Sequence, residues 1–440
     1  MAQARLSESP VDERAASIAA HRDGPDHPSA EREPLGTRAR RLQRRALLTD
    51  RSLEGLYWIA DQFVGRPFVS LLRIFPLIIR VGPVTRRAHG ISIRRQLLDL
   101  LQMVLVHGAK PWIYYTMECY RSGGMRDAGA IVMRNEMKHG VFKALNRIDP
   151  EARARARQLG DKLKVADWCA EAGIPHPQPM LVVERGEIAW RNASKNDLDR
   201  DLFVKRREGR GAFGTTVYRR TSAFQYVDVD NRPITLEQIL AEMVRRSHTR
   251  KEPSLMLMPF LHNHPGIADL AQDTLITIRV LTCLDEQLRP VVTNAYVRSM
   301  TKLEPTWDTG QTEEYGAPID LETGALGLLT GDKENSLSER FERHPVTGAQ
   351  VTGRIVPFHR ELAEVAIRAH GMVPERVMIG WDMAVTPDGP VMLEGNSFAD
   401  PVFPERVFAQ PLGHMRLGEL LHFHMDRLEA QLDQGTFRLN

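Results

Sequence analysis

A chain of 440 residues, 42% hydrophobic and 26% charged, has room for two or three domains with real cores, and its formal net charge of +3 selects no class of partner. Cys119, Cys169 and Cys283 lie far apart with no CxxC pair, which excludes a disulfide framework or a cysteine zinc site and suits a reducing cytoplasm. The opening MAQARLSESPVDERAAS is polar and lacks the apolar core of a secretory signal.

Residues 1–45 are rich in Ala, Arg, Glu, Pro and Ser, poor in large apolar residues, and read as a disordered basic tail. The tail ends in Arg38, Arg40, Arg41, Arg44 and Arg45, either a solvated face or a surface for anionic lipid or nucleic acid. From 46 to 150 the pattern is mainly helical. Its most apolar stretch, Phe68 to Ile79, contains Arg73 and Pro76 and falls short of the ~20 apolar residues that span a bilayer. Arg66, Arg73, Arg80 and Arg87 recur every seven residues beside apolar neighbours, as on a basic amphipathic surface. Pro67, Pro76 and Pro83 argue against one continuous helix there, and ordinary packed helices are the competing reading. Ile93, Leu97, Leu98, Leu101, Val104 and Leu105 then follow at helical spacing, closed by Gly108.

From 151 to 440 strands and helices mix. A helix runs toward Gly173, with Pro175 and Pro177 forcing extended chain behind it. MLVVERGEIAWR and RDLFVKRREGRGAFGTTVYRR read as strand, turn, strand; LEQILAEMVRRS and ELAEVAIRAHG as helices; TLITIRVLTCLDEQLRPVVTNAYVRSM and GWDMAVTPDGPVMLEGN as hairpins. This mixture predicts an α+β domain, not a doubly wound parallel sheet.

In the last hairpin Trp381, Met383 and Val385 alternate with Asp382, Ala384 and Thr386, and Pro387-Asp388-Gly389 suits a three-residue loop. That loop sets Asp382 opposite Glu394, with Asn396 on the same face. Facing carboxylates repel unless a cation lies between them, and an all-oxygen set selects a hard ion such as magnesium. An exposed polar face with accidental pairing is the competing reading. A second signal is FVKRREGRGAFG, where a strand delivers Lys205 to a loop holding Gly209, Gly211 and Gly214, able to cradle phosphate through backbone amides. It is neither a Walker nor a Rossmann motif. Lys162 stands near a helix start, and Arg279 and Arg298 sit on apolar strands, where each needs a buried carboxylate or a ligand anion.

The ordered set (DK before GIPHP, FVK with its glycine loop, an inward arginine, then D and E-x-N on a hairpin) resembles ATP-grasp ligases. HGISIRRQLLDLL, PWIYYTMECYR, APIDLETGALG and HPVTG look closest to the sugar-transfer-associated branch, over roughly residues 88 to 425. The resemblance implies an ATP-grasp fold, two α+β subdomains gripping ATP, behind the helical N-terminal region. It also implies ATP and Mg2+ as cofactors. Lys162 and Lys205 would touch the nucleotide phosphates, with Arg279 among the nucleotide contacts, and Gly209, Arg210, Gly211 and Gly214 would form the covering loop. Leu255–Leu261, with Met258, Phe260 and Leu261, would be the hinge against adenine, although the branch's hinge glutamate is replaced around Met258 and Pro259. Asp382, Glu394 and Asn396 would hold the metal. Lys205 and Arg298 would be catalytic, Arg298 at the tetrahedral intermediate. The segment Thr309–Gly316 departs from the branch's pattern, which puts acceptor recognition in question.

The implied activity is ligation of an unidentified carboxylate and amine through an acyl phosphate, in polysaccharide or cell-surface glycan modification. The rivals are a kinase-like phosphotransferase and an inactive nucleotide-binding accessory protein. The expected place is the cytoplasm, with peripheral contact to the inner face of the membrane through the basic N-terminal part and no specific nucleic acid.

Overall fold

Leu35, Ala39, Leu42 and Ala46 recur at helical spacing, and in the computed structural model they form the buried face of helix α1, Leu35–Leu47. The structure describes residues 32–50, 53–134, 136, 140–148, 158–191, 193–209, 214–272, 274–300, 314–331, 339–397 and 399–438. The expected disordered tail is thus corrected over 35–45, while residues 1–31 lie outside the described residues. The physical reason is pairing across helices. Arg38, Arg41 and Arg45 form ion pairs with Asp426, Glu429 and Asp433 on the last helix, and Arg40 is buried with Glu136 3.7 Å away. Hydrogen bonds and charge from Arg41 and Arg38 hold the Glu429 carboxyl down to about 2. Arg38, Arg40 and Arg45 are thereby engaged with acids of the protein itself, while Arg41, though paired with Glu429, and Arg44 keep the exposed surface of a solvated basic face.

After α2, Leu53–Ala60, and a π-turn at Asp61–Gly65, helix α3 runs unbroken over Arg66–His89. The expected interruption does not occur, although Pro76 and Pro83 lie inside the helix. An interior proline costs ~3 kcal/mol. Against that, α3 buries Ile74, Leu77, Ile78 and Val81 in one cluster with Leu100, Met103 and Val104 of α4, Ile93–Leu105. Each such side chain contributes about 1.5–3 kcal/mol, so packing outweighs the prolines. At 24 residues, with an 18-residue window of mean hydropathy 1.6, α3 is long and apolar enough, by length and composition, to cross a membrane. Helix α4 is capped by Ser92, whose hydroxyl accepts from the Arg95 N–H at 3.2 Å. It buries Gln96, Leu100, Met103 and Val104, and leaves Leu98 and Leu105, which belong to its apolar spacing, exposed.

Two antiparallel sheets follow. The first takes strands β1 Leu181–Glu184, β2 Glu187–Trp190, β3 Leu202–Arg206, β4 Thr216–Ser222, β5 Gln225–Val227, β6 Pro233–Thr235 and β7 Ser254–Pro259 in the order β2-β1-β7-β3-β4-β5-β6. Alternation sends Leu255 and Leu257 of β7 to one face, into a core shared with Ile239 and Met243 of the helix Leu236–Ser247. Met256 and Met258 point to the other face, where Leu163 covers them. The second sheet takes β8 Thr277–Leu284, β9 Pro290–Met300, β10 Glu314–Ile319, β11 Thr330–Gly331, β12 Met378–Thr386 and β13 Gly389–Asn396 in the order β11-β10-β9-β8-β12-β13. Its core, with Trp381, Met383, Ile278 and Val280, is closed by Leu362, Val365, Ala366 and Ala369 of the helix His359–His370. Its other side packs on α1 and the last helix, Arg416–Asp433.

Candidate functional site

The hairpin β12–β13 sets Asp382 opposite Glu394, and Gly380 opposite Asn396. The turn differs from the expected three-residue loop. Thr386 pairs with Gly389, leaving only Pro387 and Asp388 between, and the ladder then slips by one residue at a bulge between Met383 and Asp382. The shorter turn and the bulge offset each other, so Asp382 and Glu394 meet all the same. The Asn396 amide N–H donates to Asp382 Oδ2 at 3.0 Å and to Glu394 Oε1 at 3.4 Å, joining the three side chains.

Positive charge already reaches this face from side chains of the neighbouring strands. Cross-strand pairing puts Arg279 on β8 beside Asp382, and its guanidinium donates to both carboxylate oxygens, Nε to Oδ1 at 2.6 Å and Nη2 to Oδ2 at 3.1 Å. Arg298 on β9 binds Glu314 of β10 and brings Nη1 to 3.6 Å from Asp382 Oδ1. Burial works to raise the Asp382 carboxyl, but the charges of Arg279 and Arg298 prevail and hold it below the usual range. Burial also works to discharge Arg298, and Glu314 and Asp382 keep it charged.

The facing wall comes from the first sheet and the helix α5, Lys162–Glu171. Asp161 caps α5, accepting from the Leu163 N–H at 3.1 Å, and binds Arg207 through two bonds of 2.9 and 2.7 Å. That tie fixes the helix start to the end of β3. Lys162, the first residue of α5, donates from Nζ to the Gly209 carbonyl at 2.9 Å and stands 3.8 Å from Glu394 Oε2. Lys205 projects from β3 opposite Met256 of β7. Burial and the nearby Lys162 push its ammonium down to about 8, with Glu394 opposing. Gly209 and Gly214 both have positive φ, 127° and 79°, and a Cβ there would meet Arg206 at 2.4 Å or Glu252 at 2.3 Å. Arg210 and Gly211 lie outside the described residues.

The expected hinge is mostly strand. Leu255–Pro259 belongs to β7, so only Phe260 and Leu261 lie in the connection toward β8. Met258 lines the face with Met256 and Leu163, while the Phe260 ring carries the Arg219 guanidinium 3.8 Å from its centroid. Sequence reasoning missed Asp161, Arg207, Glu314 and His176. Asp161 carried a signal, an acidic N-cap just before the helix. His176 is buried, and desolvation together with the Lys205 charge lowers its ring to about 3, so it is neutral.

The family described as sugar-transfer associated ATP-grasp matches residues 147–410. Solved structures match at low similarity. They include the D-alanine-D-alanine ligase from Coxiella burnetii, 14% identical over 63% of this chain and 60% of that one, TM-score 0.34. Another is the Bacillus anthracis D-alanine--D-alanine ligase complexed with ATP, 11% identical over 62% of this chain and 67% of that one, TM-score 0.34. A third is the biotin carboxylase domain of the Hydrogenobacter thermophilus 2-oxoglutarate carboxylase with MgADP, 11% identical over 62% of this chain and 46% of that one, TM-score 0.36. No curated protein matches the chain by sequence.

Proposed function

The chain belongs to the sugar-transfer-associated ATP-grasp family and has the ATP-grasp fold, and from that premise we propose that it is an ATP- and magnesium-dependent ligase that activates a carboxylate for attack by an amine. We place this activity in the modification of a polysaccharide or cell-surface glycan. The observation that carries the reading is the closure of one polar constellation between two walls: Lys162, at the start of α5, stands 3.8 Å from Glu394 of the β12–β13 hairpin. Lysines on one side and carboxylates on the other suit a metal-bridged polyphosphate.

The donor set fits a hard divalent ion. Glu394 is partly exposed, and Asp382 has lone-pair capacity beyond its bonds to Arg279 and Asn396. A half-turn of the Asn396 amide presents its oxygen in place of its nitrogen. Asp382, Glu394 and Asn396 would hold the ion, which when bound neutralises charge developing on the phosphates. Lys162 and Lys205 would orient the polyphosphate, and the glycine loop would exclude water from it. A free carboxylate is a poor electrophile. Transfer of the γ-phosphoryl to a carboxylate oxygen gives an acyl phosphate, and the amine then adds to its carbonyl and expels phosphate. Arg298, held charged by Glu314, would stabilise the oxyanion of that addition.

Incubating the protein with ATP, magnesium, hydroxylamine and a panel of amino acids and uronic acids tests the reading. A hydroxamate whose formation is lost in Glu394→Gln is expected. Transfer of the γ-phosphoryl group to hydroxyl compounds, with ADP released and no hydroxamate formed, would make the protein a kinase-like phosphotransferase instead.

A further inference from the structure

The segment Gln62–Leu98 contains seven arginines and no aspartate or glutamate. Most of it is helix α3, and the helix has two apolar faces. One, with Ile74, Leu77, Ile78 and Val81, is buried against α4. On the opposite side Phe68, Leu72, Phe75 and Ile79 follow at i, i+4, i+7 and i+11 and each leaves 60% to 72% of its surface exposed. Taking roughly 200 Å² for a large side chain, these four expose ~500 Å² of apolar surface, at the upper end of what soluble monomers carry. Pro76 and Pro83 fall on the same outer side, exposed like their neighbours. Arg66, Arg73, Arg80 and Arg87, seven residues apart, run along one border of the stripe.

We propose that this outer face of α3 lies on an anionic lipid bilayer and attaches the protein peripherally to a membrane. Charge complementarity selects the occupant: an apolar stripe bordered by Arg73, Arg80 and Arg87, with Arg66 at its start paired to Asp61, matches acyl chains beneath anionic headgroups, whereas a water-soluble partner groove would supply no reason for excluding every acid from Gln62 to Leu98. Arginine stems reach from such a border to the headgroups while the stripe sinks into the boundary layer. At the C-terminal end of α3, His89, Arg95, Tyr120 and Arg121 line an open cavity of about 550 Å³, large enough for a phosphate headgroup, although Arg121 already pairs with Glu118 at 2.9 Å and Arg95 stands 3.7 Å from Asp99. Lying flat is selected over crossing for two reasons. The inner face of α3 is already packed on protein, and Arg73 and Arg80 both lie within five residues of the helix midpoint, where a crossing would carry them into the hydrocarbon. Exposed Tyr57 and Val64 just before α3 extend the same kind of surface, with a tyrosine suited to the lipid–water boundary.

The test is sedimentation of the purified full chain with vesicles of phosphatidylcholine alone or mixed with phosphatidylglycerol, at low and high salt. Binding is expected to the mixed vesicles and to weaken with salt. Phe68→Ser/Phe75→Ser/Ile79→Ser should lower the partition coefficient by at least ~tenfold, and Arg73→Gln/Arg80→Gln by ~tenfold while flattening its salt dependence. All of these side chains are exposed and outside the candidate site, so melting temperature and nucleotide affinity should match the wild type in both variants. Equal recovery in the supernatant with and without phosphatidylglycerol would overturn the proposal. So would retention of the expressed protein in membranes through alkaline carbonate, which would mean a spanning helix. A dimer that forms without lipid, fails to bind vesicles and dissolves in the triple-serine variant would assign the stripe to a second copy of the chain.

Discussion

Replacing Asp382 with asparagine keeps shape and volume but removes the only carboxylate that Arg279 touches among the described residues. Arg279 is 7% exposed, so water cannot take over. The asparagine oxygen can accept one bond, while its amide nitrogen turns a donor toward a donor, and the Arg298 Nη1 remains nearby. Breaking a buried pair by deleting one partner costs about 3–5 kcal/mol, which for a domain of this size lowers the melting temperature by at least ~6 °C. Glu394→Gln is the matched control. Its side chain is one-third exposed and its pair with Lys162 is long, 3.8 Å, so it should cost under ~1 kcal/mol. Thermal melts by circular dichroism, without nucleotide, decide between them. Double substitution Asp382→Asn/Arg279→Gln should recover most of the loss, because no guanidinium is then left stranded. The pH dependence follows from the direction of the shift. Asp382 titrates lower folded than unfolded, so its stabilisation is complete above the ordinary aspartate pKa of ~3.9 and is lost as pH falls through the lower folded value. The gap between wild type and Asp382→Asn should stay constant through neutral pH and close only in strong acid. A variant melting within ~1 °C of wild type at neutral pH would show that Asp382 is not the counter-charge of Arg279.

Two further outcomes concern the facing wall. With Lys205 near about 8 in the free protein, ATP affinity measured calorimetrically should fall by up to ~tenfold per pH unit above that value, with proton uptake on binding, and Lys205→Ala should abolish both. Among the described residues, Lys162→Ala removes a donor held by a carbonyl at 2.9 Å and a distant carboxylate, so it should weaken ATP by ~10–100-fold and leave the melting temperature unchanged.

Periodicity carried much of this fold. Alternation placed Lys205, Arg279, Arg298 and Asp382 on strands, and glycine and proline marked most turns. What sequence did not carry was strand adjacency. That Arg279 finds Asp382 and Arg298 finds Glu314 depends on β8 lying between β9 and β12 and on β10 flanking β9, pairings between segments up to 103 residues apart. The bulge at Met383 is likewise invisible, since one extra residue in a strand changes no composition. Helix α1 failed for the opposite reason. Its apolar spacing was present, but arginines dominated the composition, and their acids stand almost four hundred residues away on the last helix. In α3 the prolines suggested breaks because the rule assumes a helix stabilised by its own hydrogen bonds, and here packing against α4 supplies the difference.

The partner geometry also sorts the four cations around the candidate site by what each is free to do. Arg279 has its fork closed on both oxygens of Asp382, so turning it toward a phosphate would strand a buried carboxylate at a cost of several kcal/mol. Its expected place among the nucleotide contacts therefore gives way to holding Asp382 ionised and in position. Arg298 is tied by one edge to Glu314, with Nη1 3.6 Å from Asp382 and no short bond there, which leaves that end available to an oxyanion. Lys162 gives up only a carbonyl and a long pair. Lys205, pushed down to about 8, regains its full charge when an anion arrives. The arginines thus set the electrostatics of the carboxylate wall in advance, and under the proposed function the lysines are the side chains that would change partner as a polyphosphate enters.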